Sequence, residues 1–377
     1  MKILIAGDFC DKYRVTDAIS HRNFGLMFDD IVGVVSQADY SIVNFEFPIV
    51  NDSAIAIKKC GPNLSGQESS VEAIKYAGFK CCTLANNHIL DYGCNCGIYT
   101  KTIIENNGLD TVGFGLDNND ARGILYKQIG DSILAIINCC EHEFSTATGM
   151  SAGTNELNPI KQYYSIKEAK NNADFVLVIV HGGHEMHQLP SPRMKELYRF
   201  FIDCGADAVV NHHQHCFSGF EQYSGKPIFY GLGNFLFDSK SYRNNIWNYG
   251  FMLELTFISN RNPEYNLIPY IQCSDAPAVK LLNENQKEDF KRKFDELSAI
   301  IADDKRLQTM TDEYYCGCLK NEIGVLEPYC SRISRKLLNL GLLPRFVKDE
   351  KLLMMLNHIN CESHRDKLIF ALNHSIK

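Results

Sequence analysis

Apolar residues in the first three-quarters of the chain fall into short continuous runs, separated by stretches whose apolar residues recur at helical spacing. Continuous runs are typical of strands in a sheet that is covered on both faces. The runs that predict strands lie at 2–8, 40–46, 80–86, 111–115, 132–139, 174–183, 206–213 and 227–237. The stretches that predict helices lie at 28–38, 70–78, 96–108 and 193–206, and several of them end in glycine. This alternation predicts an α/β fold.

The pattern changes in the last quarter of the chain. Two apolar runs at 250–257 and 266–272 predict the last strands, which we place in a second sheet. From residue 281 onward, apolar residues follow helical spacing and few strand signals are left. We therefore predict two domains, an α/β domain over 1–280 and a helical C-terminal appendage over 281–377 that packs on that domain or on a partner.

Composition and charge narrow the class of protein. The chain has 377 residues, 45% of them hydrophobic, which is enough to bury a sizeable core. Its formal net charge of −7 argues against a general nucleic-acid binder, because phosphate contacts need a basic face.

Cysteine usage and hydropathy predict the compartment. The cysteine count is odd, at 15, and two pairs are adjacent, Cys81–Cys82 and Cys139–Cys140, which favours a reducing cytosol over a disulfide framework. No apolar run approaches the length of a membrane span, and the residues after Met1 do not resemble a secretory signal. We therefore predict a cytoplasmic protein without an integral membrane segment.

Polar side chains collect where the predicted strands end. In open α/β sheets, ligands gather at the carboxyl ends of the strands. Five strand ends in this chain carry such residues: Asp8; Asn44 and Glu46; Asn86, Asn87 and His88; His181, His184 and Glu185; and His212, His213 and His215. The regularity of this placement predicts one shared site.

The side chains at these positions are metal ligands by type. Carboxylate, amide oxygen and neutral imidazole suit Mn, Fe or Zn ions, and two close ions need a bridging carboxylate. In an extended segment, His213 and His215 face the same side, whereas His212 faces the other. We therefore predict that His213 and His215 enter one site and that His212 packs behind it.

Each feature also has a purely structural interpretation. Asp8 could cap a turn, Glu46 could be a solvated carboxylate before Pro48, and Asn87 with His88 could stabilise a turn. Other candidates for the site also have structural interpretations. We expect His184 and His187 at the rim of the site, and Glu185 could accept a hydrogen bond from a ligand imidazole or form an ordinary ion pair. The pairs Cys94/Cys96 and Cys316/Cys318 are expected to be buried or free thiols, because their spacing is too short for zinc pairs.

Six ordered motifs carry a resemblance to a known family. They read GD, NFEFP, LANNHILDYG, HGGHE, GADAVVNHHQH and GKPIFYGLGNFLFD, and they span about residues 1–240. Together they resemble the bacterial capsule-synthesis family, also called CapA-like or poly-γ-glutamate synthesis proteins. That family is similar to the calcineurin-like metallophosphoesterases. The resemblance implies a four-layer sandwich of two facing mixed β-sheets flanked by helices.

The resemblance also implies roles for individual residues. Two divalent metal ions (Mn, Fe or Zn) would be held by Asp8, Glu46, Asn87, His181, His213 and His215. Glu46 sits where the superfamily has its bridging carboxylate, and His88 where a histidine acts on the substrate or the leaving group. We assign catalytic roles to His88 and Glu185.

Some positions depart from the family pattern. The superfamily usually has a histidine two residues after the first aspartate, where this chain has Cys10, a weak candidate ligand. Gly182 stands where the family has tryptophan, and Asn211 where it has glycine. Many relatives carry an N-terminal membrane anchor, and we expect none here, which argues against a role at the outer surface.

The function implied is that of a metal-dependent hydrolase in the biosynthesis or modification of a bacterial surface polymer, a capsular polysaccharide or poly-γ-glutamate. A metal-activated water would attack a phosphoester, ester or amide of a small-molecule or polymer substrate. Two alternatives stay open: a metal-dependent epimerase of peptides or amino acids, and a non-catalytic assembly factor. Other capsule-synthesis proteins could bind through the C-terminal helices, and no nucleic-acid partner is expected.

Overall fold

The computed structural model of the chain describes residues 1–51, 53–360 and 362–375. Its strands are β1 (Lys2–Cys10), β2 (Tyr40–Phe45), β3 (Cys81–Thr83), β4 (Asp110–Val112), β5 (Phe114–Gly115), β6 (Leu125–Ile129), β7 (Ser132–Cys140), β8 (Gly153–Thr154), β9 (Phe175–His181), β10 (Ala208–His212), β11 (Phe220–Tyr223), β12 (Lys226–Phe229), β13 (Asn234–Phe237), β14 (Tyr249–Thr256), β15 (Glu264–Gln272) and β16 (Val279–Leu281). The apolar runs of the sequence therefore do form strands.

The helices lie between these strands and after them. They are α1 (Arg14–Ser20), α2 (Phe24–Val35), α3 (Ser69–Ala77), α4 (Cys94–Asn106), α5 (Asn118–Ala121), α6 (Pro159–Asn172), α7 (Pro192–Cys204), α8 (Glu284–Ala302), α9 (Asp304–Val325), α10 (Arg332–Asn339), α11 (Asp349–Asn360) and α12 (Glu362–Ser375). Among the described residues, none of these helices combines the length and the apolar character that a membrane span requires.

Two mixed sheets form the centre of the fold. The first has the order β16-β15-β14-β1-β2-β3-β4, and β13 also pairs with β1; the second has the order β11-β12-β10-β9-β7-β6. Strands β1, β2, β3 and β4 run parallel, as do β7, β9, β10 and β12. All the strand ends singled out in the sequence are therefore carboxyl ends of parallel strands.

Aromatic side chains join the two sheets. Phe229 of the second sheet packs on Phe251 of the first, with ring centroids 6.2 Å apart, and Phe175 packs 5.1 Å from Phe257. The outer face of the first sheet is covered by α1 to α4 through a core of buried apolar residues, and α6 and α7 contact the second sheet. The predicted α/β sandwich of two facing mixed sheets flanked by helices is confirmed.

Two details of the strand prediction were wrong. The run at 227–237 is divided between β12 and β13, which belong to different sheets, because the chain turns at Gly233 with a φ of 78°. That turn passes so close to β1 that a Cβ on Gly7 would lie 1.7 Å from the carbonyl oxygen of Gly233. As a result, β14 returns beside β1, so the strands predicted at 250–257 and 266–272 extend the first sheet rather than the second.

The end of the chain is helical, as predicted. By its contacts the chain separates into Met1–Gln308 and Thr309–Lys377. Helix α8 lies in the first unit, where Phe290 packs 4.8 Å from Phe217 and Phe294 packs 5.6 Å from Phe220, measured between ring centroids. The boundary at residue 280 stays a prediction. In the second unit, α11 and α12 pack against each other.

Candidate metal centre

Five strand ends bring the predicted ligands together. Asp8 is aligned with Asn44 across β1 and β2, and His181 is aligned with His212 across β9 and β10. The two sheets meet at this edge, where the Asn44 amide lies 3.3 Å from Nδ1 of His181. Residues that are far apart in the chain, such as Asp8 and His213, therefore become neighbours: the His213 backbone N–H donates to Asp8 Oδ2 at 3.2 Å.

Two groups of ligand atoms converge at this point. Glu46, His181 and His213 form one group, and Asp8, Glu46 and His215 form the other, with the ligand atoms of each group within 4.8 Å of one another. A tetrahedral ion with bonds of about 2.0–2.1 Å holds its ligand atoms about 3.3 Å apart. Within the first group, His181 Nε2 lies 3.5 Å from Glu46 Oε1 and 3.1 Å from His213 Nδ1. The spacing suits a divalent cation.

The carboxylate of Glu46 is common to both groups. It is fully buried, and neither of its oxygens has a hydrogen-bond partner among the described residues. A buried carboxylate without partners is costly, and buried charges in proteins are as a rule paired or bound to a metal. The two free oxygens, surrounded by imidazoles, fit a metal-bridging role and do not fit the solvated turn that the sequence left open.

The electrostatics of the centre are those expected without a cation. Burial and the neighbouring charge of Asp8 raise the pKa of Glu46 to about 8. Burial alone would lower the pKa of His215, but the carboxylates of Glu46 and Asp8 raise it to about 10. Because both pKa values are raised, binding of a cation to this centre would release protons.

The other members of the centre keep their metal-binding forms. Burial alone would raise the pKa of Asp8, but the neighbouring histidines hold it well below its usual range. Burial lowers the pKa of His181 to about 4 and that of His213 below its usual range. Asp8 is thus an anion and both imidazoles are neutral near pH 7, as metal coordination requires.

Two asparagines orient these ligands. Asn44 donates from its amide to Asp8 Oδ1 at 2.8 Å. Asn234 Oδ1 lies 2.9 Å from Nδ1 of His215, so the neutral ring that a metal requires would keep its N–H at Nδ1. Its Nε2, 3.8 Å from Glu46, would then be free to bind the metal. In the sequence, Asn44 stands out only as a polar residue at a strand end, and Asn234 does not stand out, although it lies within the last motif.

Asn87 and His88 extend the centre toward solvent. Asn87 Oδ1 lies 3.1 Å from His181 Nε2, so its amide oxygen points to the first ligand group. His88 Nδ1 lies 2.7 Å from Asp91 Oδ2. The Lys59 ammonium lies 3.2 Å from the same Nδ1, but the contact with Asp91 is shorter, and an ionised carboxylate only accepts hydrogen bonds. The shorter contact therefore favours the His88 proton on Nδ1 and leaves Nε2 for another partner.

Asp91 anchors His88 to a neighbouring loop. Its carboxylate also forms an ion pair with Lys59 and accepts the backbone N–H of Leu64 at 2.6 Å. Asp91 and the side chain of Lys59 are almost completely buried. Neither residue was predicted from the sequence; Asp91 lies three residues after His88, but no local pattern indicates Lys59.

The two C-terminal histidines of NHHQH reach the centre by a different backbone path from the one expected. Strand β10 ends at His212, and His213 and His215 have positive φ angles of 88° and 56°, so the segment is not extended. Left-handed backbone at a non-glycine residue is rare and is found mainly at functional sites. His212 belongs to neither ligand group, although its Nδ1 lies 3.6 Å from Asp8 Oδ1.

The remaining candidates lie outside the two ligand groups. Cys10 is buried in the apolar core, and burial raises the pKa of its thiol well above the usual value, which disfavours a thiolate ligand. Glu185 lines the cleft beside the centre, but it makes no hydrogen bond or ion pair within the described part of the chain. Its assignment as a catalytic residue stays a prediction.

A cleft of about 400 Å³ opens over the centre. His88, Asn87 and His215 form its floor together with Glu143 and Glu185. Loop residues that follow β1 and β13 form another wall, with the chain's single tryptophan, Trp247, beside them. The cleft therefore gives a substrate access to His88 and to the edge of the ligand groups.

Comparison with known proteins identifies the family. The model of the family described as "Bacterial capsule synthesis protein PGA_cap" matches residues 2–239. The chain belongs to the bacterial capsule synthesis family. The matched range includes every residue of the two ligand groups, together with His88 and Asp91.

Two curated relatives agree with this family. The chain is 32% identical over 246 residues to "Capsule biosynthesis protein CapA" of Bacillus anthracis, a match that covers 63% of this chain and 60% of the relative. It is 32% identical over 235 residues to "PGA biosynthesis protein CapA" of Bacillus subtilis strain 168, covering 62% of each. The chain thus spans about three-fifths of the length of these relatives.

Solved structures show weaker similarity. A phosphatase from Mycoplasma pneumoniae gives a TM-score of 0.43 at 13% identity, covering 78% of this chain and 98% of that one. A 5'-nucleotidase from Candida albicans SC5314 gives a TM-score of 0.42 at 8% identity, covering 83% of this chain and 56% of that one. At these scores the fold assignment rests on the sheet topology and the family match.

Proposed function

We propose that this capsule synthesis family member is a metal-dependent hydrolase that acts on a surface polymer or its precursor, a capsular polysaccharide or poly-γ-glutamate. The observation that carries the proposal is the buried carboxylate of Glu46, whose two oxygens lack partners and which two ligand groups share. Family membership supports the polymer, and the names of the two relatives refer to capsule and PGA biosynthesis. A cytoplasmic location remains a prediction.

The proposed ligand set follows from the two groups. One divalent ion is assigned to Glu46, Asn87, His181 and His213, and the other to Asp8, Glu46 and His215, with Glu46 in common. When bound, divalent ions of this kind polarise a phosphoryl or carbonyl oxygen and lower the pKa of water. Nitrogen and oxygen donors without sulfur are compatible with Mn, Fe or Zn.

His88 is the proposed proton donor to the leaving group or hydrogen-bond donor to the substrate. It lines the cleft, and Asp91 fixes its ring through Nδ1, so Nε2 is the nitrogen that can reach a substrate. A positioned general acid of this kind contributes about 10²–10⁴-fold to a rate. Glu185, at the other side of the cleft floor, is the proposed second acid–base group.

The test combines metal analysis with a substrate screen. Elemental analysis of carefully purified protein should show close to two transition-metal ions per chain. Metal-loaded protein should then cleave at least one member of a panel of phosphoesters, acyl-sugar amides and γ-glutamyl amides, and His88→Ala should lower that rate by at least about 100-fold. Absence of bound metal, together with no stabilisation by added Mn or Zn, would refute the proposal.

The same screen distinguishes the two alternatives from the sequence analysis. Reactions run in heavy water and followed by mass spectrometry detect exchange at Cα. Deuterium incorporation without cleavage would favour an epimerase. Polymer production supported equally well by the His88→Ala variant would favour a non-catalytic assembly factor.

A further inference from the structure

Two lysines flank one tyrosine at the mouth of the cleft. Lys12 follows β1 and Lys240 follows β13, and the two strands are adjacent and parallel. The Lys12 ammonium lies 5.2 Å from the centre of the Tyr13 ring, and the Lys240 ammonium lies 4.7 Å from it. Lys12 is also 6.0 Å from the Phe237 ring. Cation–π contacts of this length hold both charges at the wall of the cleft.

Neither ammonium has a counter-charge among the residues that the structure describes. Over the described ranges, no carboxylate lies within ion-pair distance of Lys12 or Lys240. The carboxylate of this wall, Asp238, is already bound by Arg14, with nitrogen–oxygen distances of 2.7 and 2.9 Å. The third lysine of the cleft, Lys59, is paired with Asp91. The carboxylates of Glu143 and Glu185 line the same cleft, but neither lies within ion-pair distance of the two lysines, so in a chain of net charge −7 this wall favours a negatively charged ligand group.

The backbone of this wall is fixed in advance of any ligand. Tyr13 has a φ of 54°, a positive value that non-glycine residues adopt rarely. The bidentate pair between Arg14 and Asp238 ties the segment after β1 to the segment after β13. Arg14 also donates to the backbone oxygen of Cys273 at 2.7 Å. The two lysines therefore lie on segments that are joined to each other by this ion pair.

The lysines lie one aromatic layer away from the proposed metal ligands. The ring of Phe237, which Lys12 approaches, is 5.3 Å from the ring of His215. Trp247 is 4.9 Å from His215 and packs against Tyr242 at 5.2 Å. A group held by the lysines would therefore lie beside the reacting bond of a substrate rather than at it.

We propose that Lys12 and Lys240 form an anion-binding arm of the cleft, which holds a carboxylate or phosphate group of the substrate next to the bond that reacts. The inference rests on the proposed function in one respect, since it assigns the same cleft to the substrate. It goes further in naming the charge of that substrate and the residues that select it.

Ligand binding at the arm can be followed by the fluorescence of the single tryptophan. Trp247 is 6% exposed and contacts His215, Phe237 and Tyr242, so its fluorescence reports on the cleft. The full chain would be titrated with tri-γ-glutamate, with its uncharged amide counterpart and with inorganic phosphate. Calorimetric titrations with the same ligands detect binding that does not change the fluorescence.

The double variant Lys12→Gln/Lys240→Gln should weaken binding of the anionic probe by at least about tenfold, which corresponds to the loss of about 1.4 kcal/mol. The matched control is Lys291→Gln/Lys293→Gln, which removes two positive charges from the exposed surface of α8. The control should bind like the unmodified protein, and all forms should keep their metal content and melting temperature.

If the double variant loses binding of tri-γ-glutamate alone, the arm holds a carboxylate; if it loses binding of phosphate alone, the arm holds a phosphoryl group. If neither probe binds the unmodified protein at millimolar concentration, or if the double variant binds both as well as the control does, the arm is refuted. Repeating the titration in Glu46→Gln separates the two proposals, because the arm should persist there even if the metal centre does not.

Discussion

The substitution Glu46→Gln tests the metal centre with little change in shape. Glutamine has nearly the same volume as glutamate, cannot titrate and is a much weaker metal ligand. Because Glu46 is shared by both ligand groups, the variant should lose metal at both rather than at one. It should also change how the stability of the metal-free protein depends on pH, since Glu46 is a buried carboxylate without partners.

The direction of the pH effect follows from the two raised pKa values. In the folded, metal-free protein the pKa of Glu46 is raised from 4.5 to about 8 and that of His215 from 6.5 to about 10. Between pH 6.5 and 8 the unfolded chain has released both protons, whereas the folded protein keeps them. The folded state therefore binds more protons, and the free energy of unfolding falls as the pH rises through this window.

The size of the effect is set by the number of protons. Each proton that only the folded state holds lowers the free energy of unfolding by about 1.4 kcal/mol per pH unit, so two give at most about 2.7 kcal/mol per unit. Glutamine removes the proton of Glu46, so at most one of the two protons, that of His215, still contributes in the variant. The slope in the variant should therefore fall to about half, at most about 1.4 kcal/mol per pH unit.

The other buried histidines do not obscure this window. Burial lowers the pKa of His181 and His212 to about 4 and that of His213 below its usual value. Groups whose folded pKa is depressed below 6.5 make the free energy of unfolding rise with pH mainly up to about 6.5. At pH 6.5 about half of each group is still protonated in the unfolded chain, so they add a positive slope that dies away toward pH 8. This contribution is common to the unmodified protein and the variant, and it cancels in the difference between their slopes.

Urea unfolding of chelator-treated protein at pH 6.5, 7.25 and 8, followed by Trp247 fluorescence, measures the slope. Metal at 100 times its Kd should stabilise the unmodified protein by about 2.7 kcal/mol per site, and this gain should disappear in Glu46→Gln. Glu143→Gln is the control, because Glu143 lines the cleft but belongs to neither ligand group. Equal slopes and equal metal content in Glu46→Gln and the unmodified protein would show that Glu46 is not the shared ligand.

Three further predictions concern the neighbours of the centre. His213→Ala and His215→Ala should each lower the metal content, whereas His212→Ala should leave it nearly unchanged; equal loss in all three would show by elemental analysis that His212 is also a ligand. Cys10→Ser should retain the metal, because burial disfavours the thiolate, and a loss of metal would place the thiol among the ligands. Asp91→Asn should lower the rate on any substrate found in the screen by about 10–100-fold at unchanged metal content, and an unchanged rate would show that His88 needs no positioning partner.

Much of the fold could be predicted from local patterns. The continuous apolar runs of β1, β2, β7, β9 and β10 are long and are bounded by polar residues or glycine, so their positions agree with the sequence to within two residues. The local apolar patterns did not indicate which strands belong to which sheet. A turn at Gly233 sends β13 and β14 back to β1, and the close approach of Gly7 that permits this is a contact between distant residues.

In the candidate site, too, some residues could be predicted from the sequence and others could not. Residue types that bind metal or carry protons stand out wherever they follow an apolar strand, so all six predicted ligands do meet at the joint edge of the two sheets. The residues that orient them do not stand out, because Asn44, Asn234 and Lys59 are ordinary polar residues until their partners are known. The lysine arm was missed for the same reason: Lys12 and Lys240 become a pair only when β13 lies beside β1.

The position of the centre also explains why its assembly depends on the whole sandwich. Asp8 and His213 are 205 residues apart, and His181 reaches Asn44 only across the two sheets. Folding therefore brings two carboxylates, Asp8 and Glu46, into one buried space, which opposes the stability of the metal-free protein by their mutual repulsion and desolvation. The apolar cores on either side must supply the stability that this arrangement removes, and metal binding restores part of it. Metal content and stability should accordingly change together in every variant of the six ligands.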